Sequence, residues 1–386
     1  MADKYRMLAK TLYGLEDVLA GELRALGASG VQTGVRCVYF EGDTGFMYKA
    51  NLNLRTALRV LMPVTDFRLA RAEQLYDRIR EIEWWRYLDS DCTLAVDTVL
   101  VGDLFANSLF VSQKVKDAIV DQFRDRTGKR PSVSVSDPDV RINIHVQGTL
   151  VHVSLDSSGG SLHLRGYREE TNKAPLNEVL AAGILMLSGW TGQGNFLDPM
   201  CGSGTIAIEA GMIACNIPAS INRKEFGFMR WPGFDRELFE LIREAGLKRV
   251  REFHYRLRAS DKAPSAVRKT AQNIRNANLQ DFIQVDQADF FQSAKPDPGP
   301  LQLVTNPPYG ERLLIDREGF YGKLGDTLKQ GYSNTRASML VGDPELLKYI
   351  GLRTSRKIKL YNGSLDSRLG IFDIYEGTRK GGRDDK

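Results

Sequence analysis

The chain has 386 residues, 42% of them hydrophobic and 26% charged, which is ordinary for a soluble globular protein of two or three domains. No apolar run approaches the roughly 20 residues that span a bilayer, and the charged start MADKYRMLAKTL is unlike a signal peptide, so we expect a cytoplasmic protein without a membrane partner. Residues 1–160 carry 20 Lys and Arg against 21 Asp and Glu, and residues 161–386 carry 33 against 27. This mildly basic second half permits a nucleic-acid partner without requiring one.

The first half of the chain mixes helical and extended patterns, which is typical of an α+β fold. The spacing of apolar residues predicts, in chain order, a helix over 15–27, a strand over 35–42, a helix over 46–62, a strand over 92–102, a helix over 112–128 and a hairpin over 140–159 that turns at Gly148-Thr149. The glycine-punctuated, charged segment 159–176 then separates the two halves.

In the second half, strands alternate with helices. The predicted strands are NFLDPM, YRLRASD, FIQVDQADF, LQLVTNPPY and ASMLVGD, and helical patterns such as APSAVRKTAQNIRNANL stand between them. This alternation predicts an α/β fold with a parallel, doubly wound sheet.

The segment NFLDPMCGSGTIAIEA is a strand, a glycine turn and a helix. Gly202 and Gly204 let the backbone turn tightly and approach a ligand, and the helix that follows offers unpaired N–H groups. A dinucleotide site would carry a third glycine where Ala207 stands. The acid before the turn, Asp198, instead suits a cationic amino group. The motif therefore favours S-adenosylmethionine, and a nicotinamide-dependent oxidoreductase is the weakest alternative.

The next two predicted strands also end in acids. Asp261, in RASDKAP, can accept hydrogen bonds from both hydroxyls of a ribose, and Asp286, in QVDQADF, can accept one from an adenine amino group. A single Asp is more commonly a helix cap or a turn residue. Because ligands bind outside the carboxyl ends of parallel strands, the ordered set predicts a cofactor site there.

The fourth strand ends in Asn306-Pro307-Pro308-Tyr309. The Asn306 side-chain oxygen and the Pro307 carbonyl can each accept one N–H of an exocyclic nucleobase amine, which directs its lone pair at a methyl donor. The prolines hold that carbonyl still, and Tyr309 can stack on the base. These four residues are the predicted catalytic site for methylation of a base amine.

The cysteines and histidines indicate no disulfide frame, metal site or second catalytic reaction. Four scattered cysteines lack CxxC spacing and the four histidines form no local group, so we predict neither a disulfide frame nor a metal site. Cys201 could act as a nucleophile on a base carbon, but a small residue that packs a glycine turn is the favoured interpretation.

A long stretch between the first two strands of the second half interleaves basic and aromatic residues. They are Arg223, Lys224, Phe226, Phe228, Arg230, Trp231 and Arg236. The stretch could hold single-stranded RNA by phosphate contacts and stacking, or it could be an insertion with a small core of its own. Both interpretations stay open at this stage.

The motifs DPMCGSGTIAIEAGMIACNIPASINRKEFGFMRW, SDKA and TNPPYGERL together resemble bacterial large-subunit ribosomal RNA guanine-N2 methyltransferases. FANSLFVSQKVKDAIVDQF and PDVRINIHVQGTLVHVSLDSSGGSLHLRGYR are similar to the THUMP RNA-binding domain, which follows a ferredoxin-like segment in that family. The resemblance covers about residues 1–380. It implies a ferredoxin-like segment over 1–60, a THUMP domain over 61–156, a junction over 157–175 and a class I (Rossmann-like) S-adenosylmethionine-dependent methyltransferase domain over 176–386.

The resemblance also implies roles for individual residues. The cofactor residues are Asp198, Pro199, Cys201, Gly202, Gly204, Asp261, Lys262, Asp286, Pro175 and Leu176, and the target-base residues are Asn306, Pro307, Pro308 and Tyr309. Relatives often carry an apolar residue at the position of Lys262, and KAPLNE (173–178) matches the segment that roofs their cofactor pocket. The implied reaction is methylation of guanosine N2 in 23S ribosomal RNA, with a single modification because one catalytic domain is present.

Three alternatives remain from the residues themselves. The same site could act on a guanosine of transfer RNA, or on adenine N6 or cytosine N4 of DNA, because Asn-Pro-Pro-Tyr suits those amines too. The chain could also be an RNA-binding assembly factor without catalysis. The identity of the methylated base distinguishes the first two, and failure to methylate naked RNA and assembly precursors alike would indicate the third.

Overall fold

The computed structural model describes residues 4–168, 175–308 and 316–376. The chain divides into two units, each assembled from three separate stretches. The first consists of Met1–Thr11, Leu19–Leu164 and Arg223–Ala245, and the second of Leu12–Val18, Arg165–Asn222 and Gly246–Lys386. Within the described ranges, no helix is both long enough and apolar enough to cross a membrane.

The first unit is built on a sheet that has eight strands in the described part of the chain. Its elements are β1 (Tyr5–Thr11), α1 (Glu16–Leu26), β2 (Ser29–Gly34), β3 (Cys37–Gly42), α2 (Thr44–Asn53), β4 (Ala57–Arg68), α3 (Leu75–Arg80), β5 (Thr93–Val101), α4 (Ser108–Thr127), β6 (Ser132–Val133), β7 (Val140–Gln147) and β8 (Leu150–Asp156). The strand order is β2-β3-β1-β4-β8-β7-β5-β6. The predicted α+β character and the hairpin turn at Gly148-Thr149, between β7 and β8, are both confirmed.

Helix α4 shows how local sequence sets these elements. The Asn107 side chain caps its first turn by accepting hydrogen bonds from the N–H groups of Leu109 at 2.8 Å and Phe110 at 3.3 Å. Its apolar stripe is buried in the core with β5 and β7. The helix ends at Gly128, whose left-handed φ of 73° closes the last turn.

The helix predicted over 46–62 is wrong in its second part. Helix α2 ends at Asn53, and the chain enters β4 at Ala57. Strand β4 pairs with β1 over Ala57–Leu61 and with β8 over Leu61–Arg68, so the run ALRVLM is held within the sheet. Tertiary pairing of this buried aliphatic run therefore outweighs its helical spacing.

The second unit is built on a sheet with seven strands among the described residues. From α5 onward the chain forms α5 (Glu178–Leu187), β9 (Asn195–Asp198), α6 (Thr205–Ala214), α7 (Arg236–Leu247, mostly in the first unit), β10 (Leu257–Asp261), α8 (Pro264–Asn276), β11 (Ile283–Gln287), β12 (Leu301–Thr305), α9 (Arg317–Gly331), β13 (Thr335–Val341), β14 (Arg356–Asn362) and β15 (Leu365–Ile374). The strand order is β11-β10-β9-β12-β13-β15-β14.

The strands from β11 to β13 all pair in parallel, which confirms the predicted α/β sheet. Strand β15 runs antiparallel to both of its neighbours, so the sheet ends in a β14–β15 hairpin that the sequence pattern did not predict. Because β11, β10, β9 and β12 are parallel neighbours, their carboxyl ends share one edge of the sheet.

The basic and aromatic stretch between α6 and β10 forms part of the first unit's core. Phe226 is 3% exposed and Phe228 1%, and the Phe228 ring stacks on Tyr48 with a centroid distance of 4.4 Å. The Arg223 guanidinium donates to backbone carbonyls of the same unit, including Ser161 at 2.9 Å. Burial of these rings argues against stacking on RNA, since a buried ring is not available to a base, and they add to the core of the first unit instead of forming a small core of their own.

Candidate active site

The predicted site residues meet in a cavity of about 850 Å³ at the carboxyl edge of the second unit's sheet. Its walls include residues 198–203 at and beyond the end of β9, Asp261 and Lys262 at the end of β10, 288–291 after β11, and 306–308 after β12. Pro175 and Leu176 also line it. Of the predicted site residues that the structure describes, all but Gly204 and Asp286 line this cavity.

The glycine turn joins β9 to α6 by backbone conformations that favour glycine. Gly202 has a φ of 58° and Gly204 a φ of 84°. A Cβ on Gly204 would lie 2.8 Å from Cγ2 of Thr270, so α8 packs directly on the turn. Gly204 therefore allows α8 to pack closely against the turn, and it does not line the cavity.

Asp261 ties the glycine turn to the end of β10. Its Oδ2 accepts a hydrogen bond from the Gly202 N–H at 3.0 Å, and its Oδ1 accepts one from Ala263 at 2.9 Å. The Cys201 N–H donates to the Ser260 carbonyl at 2.9 Å. These bonds hold the turn in one geometry before any ligand arrives, which is the preorganisation that a tight cofactor site needs.

Asp198 is a buried carboxyl group at the base of the cavity. It is 1% exposed, and burial raises its pKa to about 7, although the Thr305 hydroxyl and the Met200 N–H at 3.4 Å oppose the shift. A cation bound beside this carboxyl group would favour its ionised form. The group therefore suits a ligand with an ammonium or sulfonium centre.

Cys201 has the environment of a packing residue. It is 7% exposed, its Sγ lies 3.5 Å from the Thr270 hydroxyl oxygen, and burial together with the charge of Asp198 raises the pKa of its thiol. A nucleophilic cysteine needs a lowered pKa, because the thiolate is the reactive form. The geometry supports the packing interpretation over the nucleophile.

Asn306 follows β12, whose five residues are all buried. Asn306, Pro307 and Pro308 line the cavity. The Asn306 Oδ1 atom is buried, and the described residues provide it with no hydrogen-bond partner. An amide oxygen without a partner costs free energy, which a donor on a bound molecule would recover. The predicted stacking residue, Tyr309, lies outside the described residues.

The roof of the cavity is held by Arg168. Pro175 and Leu176 line the cavity, whereas Lys173 of the same motif lies outside the described residues. The Arg168 guanidinium donates to the Thr205 hydroxyl at 2.8 Å and the Leu176 carbonyl at 3.4 Å, and it pairs with Glu178 at 2.9 Å. It therefore connects the roof to the start of α6.

The acid that lines the cavity after β11 is Asp289, whereas the sequence predicts Asp286. Asp286 lies within β11, does not line the cavity, and faces Arg258 at 3.7 Å and Gln284 at 3.3 Å. Asp289 lines the cavity and caps a short helical turn by accepting from the Phe291 N–H at 3.0 Å. The strand ends at Gln287, so only the second acid of QVDQADF stands beyond the carboxyl end.

Sequence reasoning missed the far wall of the cavity. Leu12, Phe320, Tyr361, Asn362, Gly363 and Leu365 complete it. They lie up to about 350 positions apart and carry no shared motif, so no sequence signal connects them. Among the described residues, no group of three His, Cys, Asp or Glu side chains is placed to hold a metal ion.

Comparison with known families decides what kind of site this is. The family described as "RMKL-like, methyltransferase domain" matches residues 165–370, just over half of the chain. The chain belongs to this methyltransferase family. A THUMP domain matches residues 70–156, and an "RlmL ferredoxin-like domain" matches residues 6–61. The predicted family and the predicted class of fold are confirmed.

Individual relatives agree with this assignment. The ribosomal RNA large subunit methyltransferase K/L of Syntrophotalea carbinolica is 39% identical over 379 residues, which cover 94% of this chain and 53% of that protein. The protein of the same name from Cellvibrio japonicus is 37% identical over 382 residues, covering 94% of this chain and 50% of its own length. The chain thus spans about half the length of the curated relatives it matches.

A solved structure is similar over nearly the whole chain. SMU.472, named as a methyltransferase and solved in complex with SAH, is 30% identical with a TM-score of 0.87, over 98% of this chain and 100% of its own. The chain therefore shares both of its units with a protein of this type.

Proposed function

We propose that the chain transfers a methyl group from S-adenosylmethionine to the exocyclic N2 amine of a guanosine in large-subunit (23S) ribosomal RNA. The observation that carries this proposal is the position of Asn306. Its buried oxygen, which lacks a partner among the described residues, belongs to the same cavity as the glycine turn. An acceptor placed beside a methyl-donor site suits an amine that must be oriented for transfer.

S-adenosylmethionine is the methyl donor of the family to which the chain belongs, so the predicted cofactor is confirmed at the level of the family. The residues of the cavity fit it. Asp198 suits its ammonium group, Asp261 its ribose, and Asp289, in place of Asp286, its adenine amine. A carboxylate has about four lone-pair positions, so Asp261 can hold the glycine turn and still accept a further hydrogen bond. Once bound, the cofactor supplies a methyl group on a positively charged sulfur.

The catalytic work of the chain is to orient and activate the amine. The lone pair of a base amine is delocalised into the ring, which makes it a poor nucleophile. The Asn306 oxygen and the Pro307 carbonyl would each accept one of its N–H bonds and so direct the lone pair away from the ring. The two prolines lack N–H groups and have fixed φ, which limits movement of these acceptors. The proton released after transfer can pass to water.

Ribosomal RNA is the proposed partner. The relatives named methyltransferase K/L are named for large-subunit ribosomal RNA, and residues 70–156 match the THUMP family. We propose that the THUMP region captures a structured part of the RNA and that the target base is unstacked into the cavity. The domain limits 1–60, 61–156, 157–175 and 176–386 belong to this proposal.

The experiment uses the purified chain, labelled S-adenosylmethionine and unmodified large-subunit ribosomal RNA, followed by nucleoside mass spectrometry. Label in N2-methylguanosine is the expected result. Small-subunit ribosomal RNA and transfer RNA serve as matched substrates, and transfer to them should be at least tenfold slower.

Other outcomes separate the alternatives. A protein named as an N6-adenine-specific DNA methylase from Listeria monocytogenes is 27% identical with a TM-score of 0.86, over 96% of this chain and 97% of its own. Label in N6-methyladenine or N4-methylcytosine of DNA would favour that reaction class, and preferential label in transfer RNA would change the substrate. Absence of label on both naked RNA and assembly precursors would favour a binding factor.

A further inference from the structure

The β14–β15 hairpin rises above the edge of the sheet that carries the candidate active site. Strand β15 is antiparallel to both β13 and β14, so β14 runs in the same direction as β13 and β12 and turns at their carboxyl edge. The strand register relates β14 to the end of β12. Thr305, the last residue of β12, pairs with Met339 of β13, and Met339 pairs with Gly370 of β15. Gly370 pairs in turn with Lys357 of β14, so Lys357 lies at the same height as the end of β12.

The register gives the height of the hairpin. Strand β14 continues for five residues beyond Lys357, to Asn362. At about 3.3 Å per residue, the tip stands about 16 Å above the end of β12. The nearer strand of the hairpin, β15, is two strand spacings of about 4.8 Å from β12, a lateral distance of about 10 Å. Asn306 and the hairpin tip line the same cavity of about 850 Å³, which has room for a nucleoside.

A second segment of the same unit braces the hairpin. Gly14 has a φ of 85°, and a Cβ at this position would lie 2.8 Å from the Lys359 carbonyl oxygen, so the backbone of this loop lies directly against β14. The Tyr13 ring meets the Tyr361 ring edge to face, with centroids 5.4 Å apart. Leu12, from the same loop, lines the cavity together with Tyr361.

We propose that the tip of this hairpin, residues 361–365, and the brace, Leu12–Gly14, form the wall of the cavity that receives the target nucleoside, with Tyr361 as the aromatic residue that contacts the base. This inference rests on the proposed function and adds to it the residues that bind the substrate. The glycine turn, Asp261 and Asp289 lie on the cofactor side, at β9, β10 and β11, whereas the hairpin lies beyond Asn306 at the other end of the sheet. A guanine whose amine reaches Asn306 would meet the aromatic wall with the other end of its ring system, and the apolar wall would exclude water from it.

The test compares Tyr361→Ala with Tyr361→Phe, with Tyr255→Ala as the matched control. Tyr255 is 51% exposed in the loop before β10, at the opposite end of the strands. We expect Tyr361→Ala to lower kcat/KM for RNA about tenfold or more, which is the range that loss of one stacked base contact produces. Affinity for SAH, measured by calorimetry, should stay within twofold, because this residue lies away from the cofactor side. Tyr361→Phe, which keeps the ring, should recover most of the kcat/KM that Tyr361→Ala loses, and Tyr255→Ala should resemble the wild type.

A second variant keeps the test independent of folding at position 361. Leu365→Ala, at a tip residue that is 37% exposed, should raise KM for RNA severalfold with the melting temperature unchanged. If the wild type is active and Tyr361→Ala and Leu365→Ala both match it in kcat/KM, the hairpin inference is overturned while the proposed function stands. Equal loss of SAH affinity in Tyr361→Ala would also overturn it. If the wild type methylates no nucleic acid, the proposed function fails and the inference fails with it.

Discussion

At the scale of single residues, Asn306 is the group whose chemistry is easiest to isolate. Its oxygen is buried in the cavity wall and, as far as the described residues extend, accepts no hydrogen bond. A group of this kind contributes to the reaction only when a donor is present. It should therefore matter for turnover far more than for folding or for cofactor binding.

Asn306→Ala is expected to reduce kcat by about 10²–10³-fold, because one preorganised contact to the reacting amine is lost. SAH affinity, measured by calorimetry, should change by less than about threefold. The matched control is Asn195→Ala, at the amino end of β9, which should leave kcat unchanged. A parallel loss of SAH binding in Asn306→Ala would contradict the assigned role.

Asp198 is expected to make cofactor binding depend on pH. Burial raises the pKa of this carboxyl group to about 7, so it is mostly protonated at pH 6 and mostly ionised at pH 8. If the ionised form holds the ammonium group, SAH should bind about tenfold more weakly at pH 6 than at pH 8. Asp198→Asn should bind weakly at every pH and lose this dependence. Calorimetry between pH 5.5 and 8.5 provides the measurement.

The sign of the stability effect follows from the same pKa. In the unfolded chain Asp ionises near its usual value of about 3.9, whereas the folded chain retains the proton up to about pH 7. Between these values the folded state binds more protons, so the contribution of Asp198 to stability falls as the pH rises and is level above pH 7. Glu178, whose pKa burial also raises to about 7, changes in the same window. The difference in the free energy of unfolding between the wild type and Asp198→Asn, followed against pH, gives the contribution of Asp198 alone.

At the scale of elements, the roof of the cavity depends on Arg168. This side chain joins Leu176 of the roof to Thr205 at the start of α6 and pairs with Glu178, which is 3% exposed. A buried carboxyl group that loses its partner is costly, and the unanchored roof no longer covers the cofactor side.

Arg168→Met is expected to lower the free energy of unfolding by about 3 kcal/mol and SAH affinity about tenfold. Urea unfolding and calorimetry provide the two measurements. At pH 8, above the raised pKa of Glu178, adding Glu178→Gln should recover part of the stability, because a neutral amide then replaces the buried carboxyl group, without recovering SAH affinity. Unchanged SAH affinity in Arg168→Met would show that the roof does not need this anchor.

The elements also show which parts of the site are predictable from sequence. Asp198 and Asp261 are the last residues of their strands and Asn306 follows its strand directly, and parallel pairing makes such ends meet, so their convergence follows from the pattern. The pattern predicts Asp286 at the end of β11, whereas Asp289 lines the cavity, because the end of a strand cannot be located to within two residues by pattern alone. The contribution of Tyr361 depends on strand register and on an antiparallel hairpin, neither of which the local sequence encodes.

At the scale of the whole molecule, each unit has a buried core of its own, one around α4 and β7 and the other around α9 and β13. A ligand stabilises the structure to which it binds, by about 2.7 kcal/mol at a concentration 100 times its Kd. Hydrogen exchange with SAH should therefore slow at residues 198–205 and 288–291 and change little in the β7–β8 hairpin. Equal slowing in both units would contradict a cofactor site confined to the second.

The interleaved path of the chain has a consequence for its synthesis. Arg223–Ala245 belongs to the first unit, whereas the stretches on either side of it belong to the second. The ring that stacks on Tyr48 is Phe228, so the first unit lacks part of its core until the ribosome has made residue 245, about two thirds of the chain. Domains that are continuous in sequence can fold one after another as they emerge. Here the amino-terminal unit completes its core only after a large part of the second unit has been synthesised. Aromatic side chains of the nascent chain stay exposed until then.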